Sequence, residues 1–205
     1  MTRYPDNPTA ISFDFLKQLD RDPPGTWIGS AKLDGWRKIC DNTSGAWHYG
    51  AKHTKGDAAR PLPEDLRLEF GSLPWPAGIC LDAEWLGPRV ASVVKEHSLH
   101  VFDILTAGGE WLGNVPYWKR QEMLKDLRVD MVESFWEIPL RQQLPEGRHV
   151  HLVQTFSNPG LCERYEEQKL NPLSEGLVVR HKSSLLTGSF AGCAKGDRFY
   201  KIKYR

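Results

Sequence analysis

An α+β domain with mostly antiparallel β-sheets is the fold class this sequence predicts, and three observations predict it. Strand-like runs follow one another in series, each closed by a turn signal. Short helical segments stand between some of them. No regular strand–helix–strand alternation of the kind that builds a parallel sheet is present. The 205 residues carry no internal repeat, low-complexity tract or linker, so residues 1–205 read as one domain able to bury a substantial core.

Residues 12–19 read as a short helix, stopped by the breaker Asp22-Pro23-Pro24-Gly25. Residues 26–31 and 36–40 read as strands meeting at Asp34-Gly35. That pair predicts a β-hairpin, because Gly accepts positive φ and Asp tolerates it. Residues 46–52 read as a third strand, and residues 63–70 as a helix entered at Pro63. Strands follow at 78–85 and 99–105, the second ending in a Gly108-Gly109 turn. Residues 116–127 read as a helix with Leu124 and Leu127 inward, and 149–156 as a strand. Ser157-Asn158-Pro159 is expected to cap a helix reaching about Leu170. Residues 176–181 and 198–204 are the last strands.

Hydrophobic content of 40% and charged content of 26% are those of an ordinary soluble globular protein. No run of about 18 apolar residues occurs, so no membrane span is expected. The N-terminus lacks a secretory apolar segment, and a cytoplasmic location is expected. Cys40, Cys80, Cys162 and Cys193 form no C-x-x-C pair, and reduced thiols are the reading they support. Net charge is only +1, which argues against a protein that simply coats nucleic acid. From residue 175 to 205, however, seven basic residues stand against two acidic ones, a balance that suits a phosphate-bearing partner.

The chemistry-bearing residues lie at the ends and faces of these strands. Lys32-Leu33-Asp34-Gly35-Trp36-Arg37 comes first; a hairpin turn accounts for Asp34 and Gly35 but gives no reason for Lys32 and Arg37. Glu84 follows in Leu81-Asp82-Ala83-Glu84-Trp85, and Phe102 in Val101-Phe102-Asp103-Ile104-Leu105. Glu175 opens Glu175-Gly176-Leu177-Val178-Val179-Arg180. Lys201 and Lys203 alternate in the final strand, so a period of two puts both on one sheet face. Singly, each has a bland reading: a strand-end charge, a core Phe, a turn pair, a solvated face.

In this order and company the five stretches resemble the nucleotide-binding motifs of the covalent nucleotidyltransferase superfamily, which contains ATP-dependent DNA ligases, RNA ligases and mRNA capping enzymes. The resemblance covers almost the whole chain. Glu175-Gly176-Leu177-Val178-Val179 looks like the ligase branch, and residues 102–124 are similar to bacterial and phage DNA ligases. The fold this implies is the ATP-grasp-like adenylation domain, two mostly antiparallel β-sheets with flanking helices. Only 31 residues precede Lys32, too few for the extra domain by which NAD-dependent ligases bind nicotinamide, so ATP is the expected cosubstrate.

The resemblance further implies that Lys32 attacks the α-phosphate of ATP to form a lysyl-AMP phosphoramidate. The AMP then passes to a 5′-phosphate, and a neighbouring 3′-hydroxyl displaces it to seal a nick, in duplex DNA by preference. An RNA ligase is the alternative within the class, with a GTP-using capping enzyme further off; a non-catalytic nucleotide- or nucleic-acid-binding module of the same fold is the alternative outside it. An amine attacks only when unprotonated, and like charge from Lys201 and Lys203 would depress the pKa of Lys32 from its usual value of about 10.4. The same lysines would neutralise phosphate charge. Asp34 and Glu84 would lie near the ribose and a metal, Glu175 would ligate that metal, Phe102 would stack on adenine, and Arg37 would contact phosphate. Mg²⁺ is the expected ion, because carboxylates and phosphate oxygens are hard ligands.

This sequence departs from the family at Ala83, where Gly is usual, at Arg180, where Lys is commoner, and at Ser30, where an acidic or amide residue is often found. Lys52 or Lys55 is the expected substitute for an Arg-Gly-type motif. Relatives continue beyond the K-x-K strand into an OB-fold that clamps duplex. This chain stops at Arg205, which fits a naturally minimal ligase, a catalytic-domain fragment or a protein whose clamp comes from a partner; weak, salt-sensitive duplex binding is expected, and so is a monomer.

Overall fold

The strand-forming runs sort into two sheets that face each other across a cavity. The computed structural model describes residues 5–51, 61–88, 97–127, 132–133, 149–188 and 195–204. One sheet has the order β1 (Asn7–Ala10), β12 (Lys195–Lys203), β11 (Ser174–His181), β2 (Trp27–Leu33), β10 (Thr155–Ser157). The other has the order β4 (His48–Ala51), β3 (Trp36–Asp41), β5 (Cys80–Leu86), β6 (Ser98–Ala107), β9 (Val150–Leu152), β8 (Val132–Glu133), with β7 (Glu110–Trp111) folded back on β6. Pairing is mostly antiparallel, as expected; β1–β12, β6–β9 and β8–β9 are parallel.

Each sheet buries its outer face under two helices. α1 (Phe13–Asp20) and α4 (Leu161–Gln168) bring Leu16, Leu19, Leu161 and Tyr165 onto Leu177, Val179 and Ile202 of the first sheet. α1 forms there because Ser12 caps it, its Oγ accepting from the Phe15 N–H, and because Leu16 and Leu19 recur at helical spacing. α2 (Glu64–Ser72) and α3 (Tyr117–Asp126) lay Leu66, Phe70 and Leu124 on Leu81, Ala83, Leu99 and Val101 of the second sheet. Burying one such large side chain contributes about 1.5–3 kcal/mol, so truncating Leu16 or Phe70 would be felt throughout its layer. The period of two then turns the intervening polar residues inward, toward the facing sheet. Among the described residues, no helix is long and apolar enough to cross a membrane. Cys40, Cys80 and Cys162 are free thiols, and Cys193 lies outside the described residues.

Four sequence expectations are corrected. β2 and β3 are not a hairpin: β2 pairs with β10 and β11, β3 with β4 and β5, so Asp34-Gly35 is a corner where the chain changes sheets. Gly35 does not carry a positive φ; it is needed because a Cβ would meet the Trp85 carbonyl and the Glu84 side chain. The run 149–156, expected as one strand, is two, β9 in one sheet and β10 in the other, with Val153-Gln154 as a second crossing. The cap of α4 comes from far away in sequence. Asp20 accepts from the N–H groups of Gly160, Leu161 and Cys162, while Asn158 is spent on the Trp27 N–H and the Asp22 and Pro23 carbonyls. Finally, β1 was not expected. It is four residues long and contains Pro8, which an edge strand tolerates.

A buried polar seam joins the layers. Asp103 on β6 accepts from Arg120 Nε and Nη2 of α3, both at 2.9 Å, and from Arg180 Nη1 of β11 at 2.8 Å. Burial pushes the Asp103 carboxyl up, but the two guanidinium groups outweigh it and hold the pKa below the ordinary value. Asp103→Asn leaves two buried guanidinium groups short of a counter-charge and should cost about 3–5 kcal/mol of unfolding free energy; urea denaturation measures it, and a loss below about 1 kcal/mol would contradict the seam.

His100 and His151 stack in the second sheet, both buried, with ring centroids 4.8 Å apart. Burial, and then the neighbouring His151, holds His100 well below its ordinary pKa. The unfolded chain therefore binds the extra proton first. The stability this provides is complete above about pH 6.5 and is lost as pH falls toward the folded-state value. The urea midpoint of the wild type should drop between pH 7 and 5.5, and that of His100→Gln should drop less. Equal slopes in the two proteins would refute the assignment.

Candidate active site

Between the inner faces lies a cavity of about 310 Å³. Both sheet-crossing points reach its wall, through Gly35 and Val153, and so does the edge strand β1 through Asn7 and Pro8. Register sets the residues of the first sheet's inner face in rows. Lys32, Gly176 and Lys203 stand side by side; then Ser30, Val178 and Lys201; then Ile28, Arg180 and Phe199.

A β-bulge sets the first row. Ser174 pairs with Leu33 but Gly176 pairs with Lys32, so Glu175 is the extra residue and its side chain is re-aimed at the lysines. Glu175 Oε1 takes a short ion pair from Lys32 Nζ, and Oε2 accepts from Lys203 Nζ at 2.5 Å. Gly176 makes the bulge possible: its φ is +154°, and a Cβ there would collide with the Ile202 carbonyl. Burial raises the Glu175 pKa, but the hydrogen bonds from Lys203 and Lys32 outweigh that and hold it below the ordinary value. Lys201 is lowered, by burial first and then by the like charges of Lys32 and Lys203.

A second bulge shapes the facing sheet. Asp82 pairs with Asp103 and Ala83 with Val101, leaving Phe102 as the extra residue. Strict alternation would put Phe102 and Asp103 on opposite faces; the bulge lets both line the cavity. Arg37 is gripped by Asp82, Nε to Oδ1 at 2.8 Å with a second short contact from Nη2, and its Nη1 donates to the Asp6 carbonyl at 3.0 Å. Its guanidinium stands 5.6 Å from the Phe102 ring centroid. Glu84 is half-buried on the cavity wall. Its carboxyl is pushed up to about 7 by burial, which Lys32, Arg37 and the Gly35 N–H offset only in part.

Of the predicted site residues, Lys32, Arg37, Glu84, Phe102 and Lys201 line the cavity, and Glu175 and Lys203 adjoin it through the ion pairs with Lys32. Asp34 is exposed at the corner, outside the cavity wall. Lys52 and Lys55 lie outside the described residues. The sequence reading did not single out Asp82, Tyr117 or Phe199 as wall residues. An acidic residue inside an apolar strand is a signal of a buried partner, and it could have flagged both Asp82 and Asp103.

No protein-family model matches this sequence, and no curated protein matches it. Solved structures do. The ligase domain of M. tuberculosis LigD matches with 16% identity and a TM-score of 0.59 over 87% of this chain and 53% of its own. A mycobacterial DNA ligase D complexed with ATP and MES matches with 15% identity and a TM-score of 0.62 over 97% and 58%. The fold is that of the adenylation domain of ATP-dependent DNA ligases. The ATP-dependent DNA ligase from bacteriophage T7, in complex with ATP, matches with 16% identity and a TM-score of 0.57 over 97% of this chain and 68% of that one. This chain spans little more than half the length of the two mycobacterial ligase structures.

The bulge at Glu175 yields a prediction. Gly176→Ala should unfold the β11–β12 pairing locally and lower the melting temperature by several degrees, since a Cβ cannot fit against backbone. Amide exchange of Leu177 and Ile202 would report it, and unchanged protection at both positions would count against the bulge.

Proposed function

We propose that this chain is the adenylation domain of an ATP-dependent polynucleotide ligase acting on nicked duplex DNA. The observation that carries the reading is the convergence of Lys32, Glu175, Lys201 and Lys203 at one end of a cavity whose other walls hold Glu84 and Phe102, on a fold that ligases carry. A non-catalytic binding module has no need of a half-buried lysine facing a carboxylate inside such a cavity.

Lys32 Nζ, once deprotonated, attacks the α-phosphorus of ATP. A P–N bond forms as the bond to pyrophosphate breaks, and the amine proton leaves to solvent. Lys203 stands in the same row as the nucleophile and Lys201 in the next, where their charge stabilises the equatorial oxygens of the transferring phosphoryl group. Glu175 holds Lys32 and Lys203 together, which positions the nucleophile. Phe102 offers a ring face for the adenine.

Mg²⁺ fits the donors present. Among the described residues no cluster of three or more His, Cys, Asp or Glu side chains could hold an ion unaided. Glu84 and Glu175 would supply at most two carboxylates, and phosphate oxygens and water would complete the shell, which is how this ion is usually held. When bound it neutralises phosphate charge. In the later steps AMP moves to the 5′-phosphate at a nick and is displaced by the adjacent 3′-hydroxyl.

With ATP and Mg²⁺ the protein should gain the mass of one AMP, and Lys32→Ala should gain none. Lys201→Ala should adenylate about 10²–10³-fold more slowly, the scale of losing one charge-stabilising group. Labelling of Lys32→Ala by α-labelled ATP would sink the assignment. Sealing assays on nicked DNA, nicked RNA and single-stranded RNA then fix the polynucleotide.

A further inference from the structure

Arg180 is a cavity-wall cation to which the proposed chemistry gives no task. It is buried, and its guanidinium is fixed on three sides. Nη1 donates to Asp103 at 2.8 Å, the Phe199 ring centroid lies 3.7 Å from Cζ, and the Tyr117 centroid lies 4.8 Å away. Its Nε–H finds no acceptor among the described residues, although the side chain lines the cavity. A buried guanidinium donor is costly to leave unmade. Arginine is donor-only, so whatever satisfies Nε must present a lone pair.

Register says which part of a nucleotide that would be. Arg180 stands four residues along β11 from Gly176, the residue opposite Lys32. At about 3.3 Å per residue this is roughly 13 Å, comparable to the length of a nucleoside monophosphate. With the α-phosphate at Lys32, the Arg180 row lies at the nucleoside end. The intervening row holds Ser30 and Val178, and Phe102 lines the opposite wall.

We propose that Arg180 is a nucleotide-binding residue whose Nε–H donates to an acceptor on the nucleoside half of the bound nucleotide, a purine ring nitrogen or a ribose oxygen. This rests on the nucleotide-binding reading above and adds to it a determinant of base or sugar recognition. The stacking between two rings and the Asp103 contact keep the donor from swinging toward the phosphates. Lysine at this position would keep the charge but lose both the Nε donor and the planar stack.

The test measures binding, not turnover, so it is independent of Lys32 chemistry. Calorimetry should show AMP binding to Arg180→Lys about tenfold more weakly than to the wild type, the scale of one charge-assisted hydrogen bond, with pyrophosphate binding unchanged. Among AMP analogues that each lack a single acceptor (the 1-, 3- and 7-deaza bases, 2′-deoxy and 3′-deoxy ribose), one should lose a similar factor on the wild type and lose nothing further on Arg180→Lys. Equal AMP affinity in both proteins, or a loss confined to pyrophosphate, overturns the proposal while leaving the ligase reading intact. A wild type that binds no AMP overturns both. Should Arg180→Lys fail to fold, the analogue series on the wild type decides alone: no weakened analogue means that Nε is satisfied by water.

Discussion

The Asp103 carboxylate, shared between Arg120 and Arg180, is the contact on which the rest of this structure depends. It joins α3, β6 and β11, and so one helix and both sheets. Moving such charges out of water is expensive, and a hydrophobic replacement of similar volume can be as stable. What apolar contacts do not supply is direction. Carboxylate oxygens and a planar guanidinium fix the distance and orientation of the strands that carry them. The cavity wall needs that precision, because Phe102 is the residue before Asp103 and Phe199 stacks on Arg180. Arg37 and Asp82 repeat the device a few residues away, and the Asp6 carbonyl on Arg37 draws the N-terminal segment into it.

Bulges provide the second constraint. A regular strand can present only every other side chain to the cavity. The extra residues at Phe102 and Glu175 break that limit, placing Phe102 beside Asp103 on one wall and turning Glu175 onto two lysines on the other. The cost falls on Gly176, whose backbone conformation suits no other residue and whose Cα passes against the Ile202 carbonyl. Glu-Gly in this strand is therefore a steric requirement as much as a chemical one.

Much of this was legible in the sequence because it depends on local chemistry. Ser12 before a Leu16–Leu19 spacing gives α1, and the alternation of Lys201 and Lys203 puts both on the Lys32 face of the first sheet. What escaped depends on long-range register. Asp34-Gly35 carries the local signature of a hairpin, yet whether two strands pair or part is decided by partners more than forty residues away, β5 for β3 and β11 for β2. The run 149–156 mixes Val, Leu and Phe with His149, His151, Gln154 and Thr155, and nothing local to it reveals that it divides between sheets. The cap on α4 comes from Asp20, which no local rule could reach. Bulges are invisible for the same reason: they are properties of a pair of strands and not of either one alone.

The charges of the cavity, taken together, explain why it has two unlike ends. Arg37 is matched by Asp82, and Arg180 by Asp103, each within the wall. With Arg120 also on Asp103, these pairs offset most of the charge in the stretch that holds Phe102, Tyr117 and Phe199, leaving a surface suited to a flat ring system. At the other end Lys32 and Lys203 share the carboxylate of Glu175, Lys201 stands in the next row, and burial pushes Glu84 up to about 7, so that it carries only part of its charge near neutral pH. Positive charge therefore collects around Lys32. A ligand with phosphates at one end and an aromatic base at the other can lie along that gradient in only one direction, and that direction puts the phosphates beside Lys32.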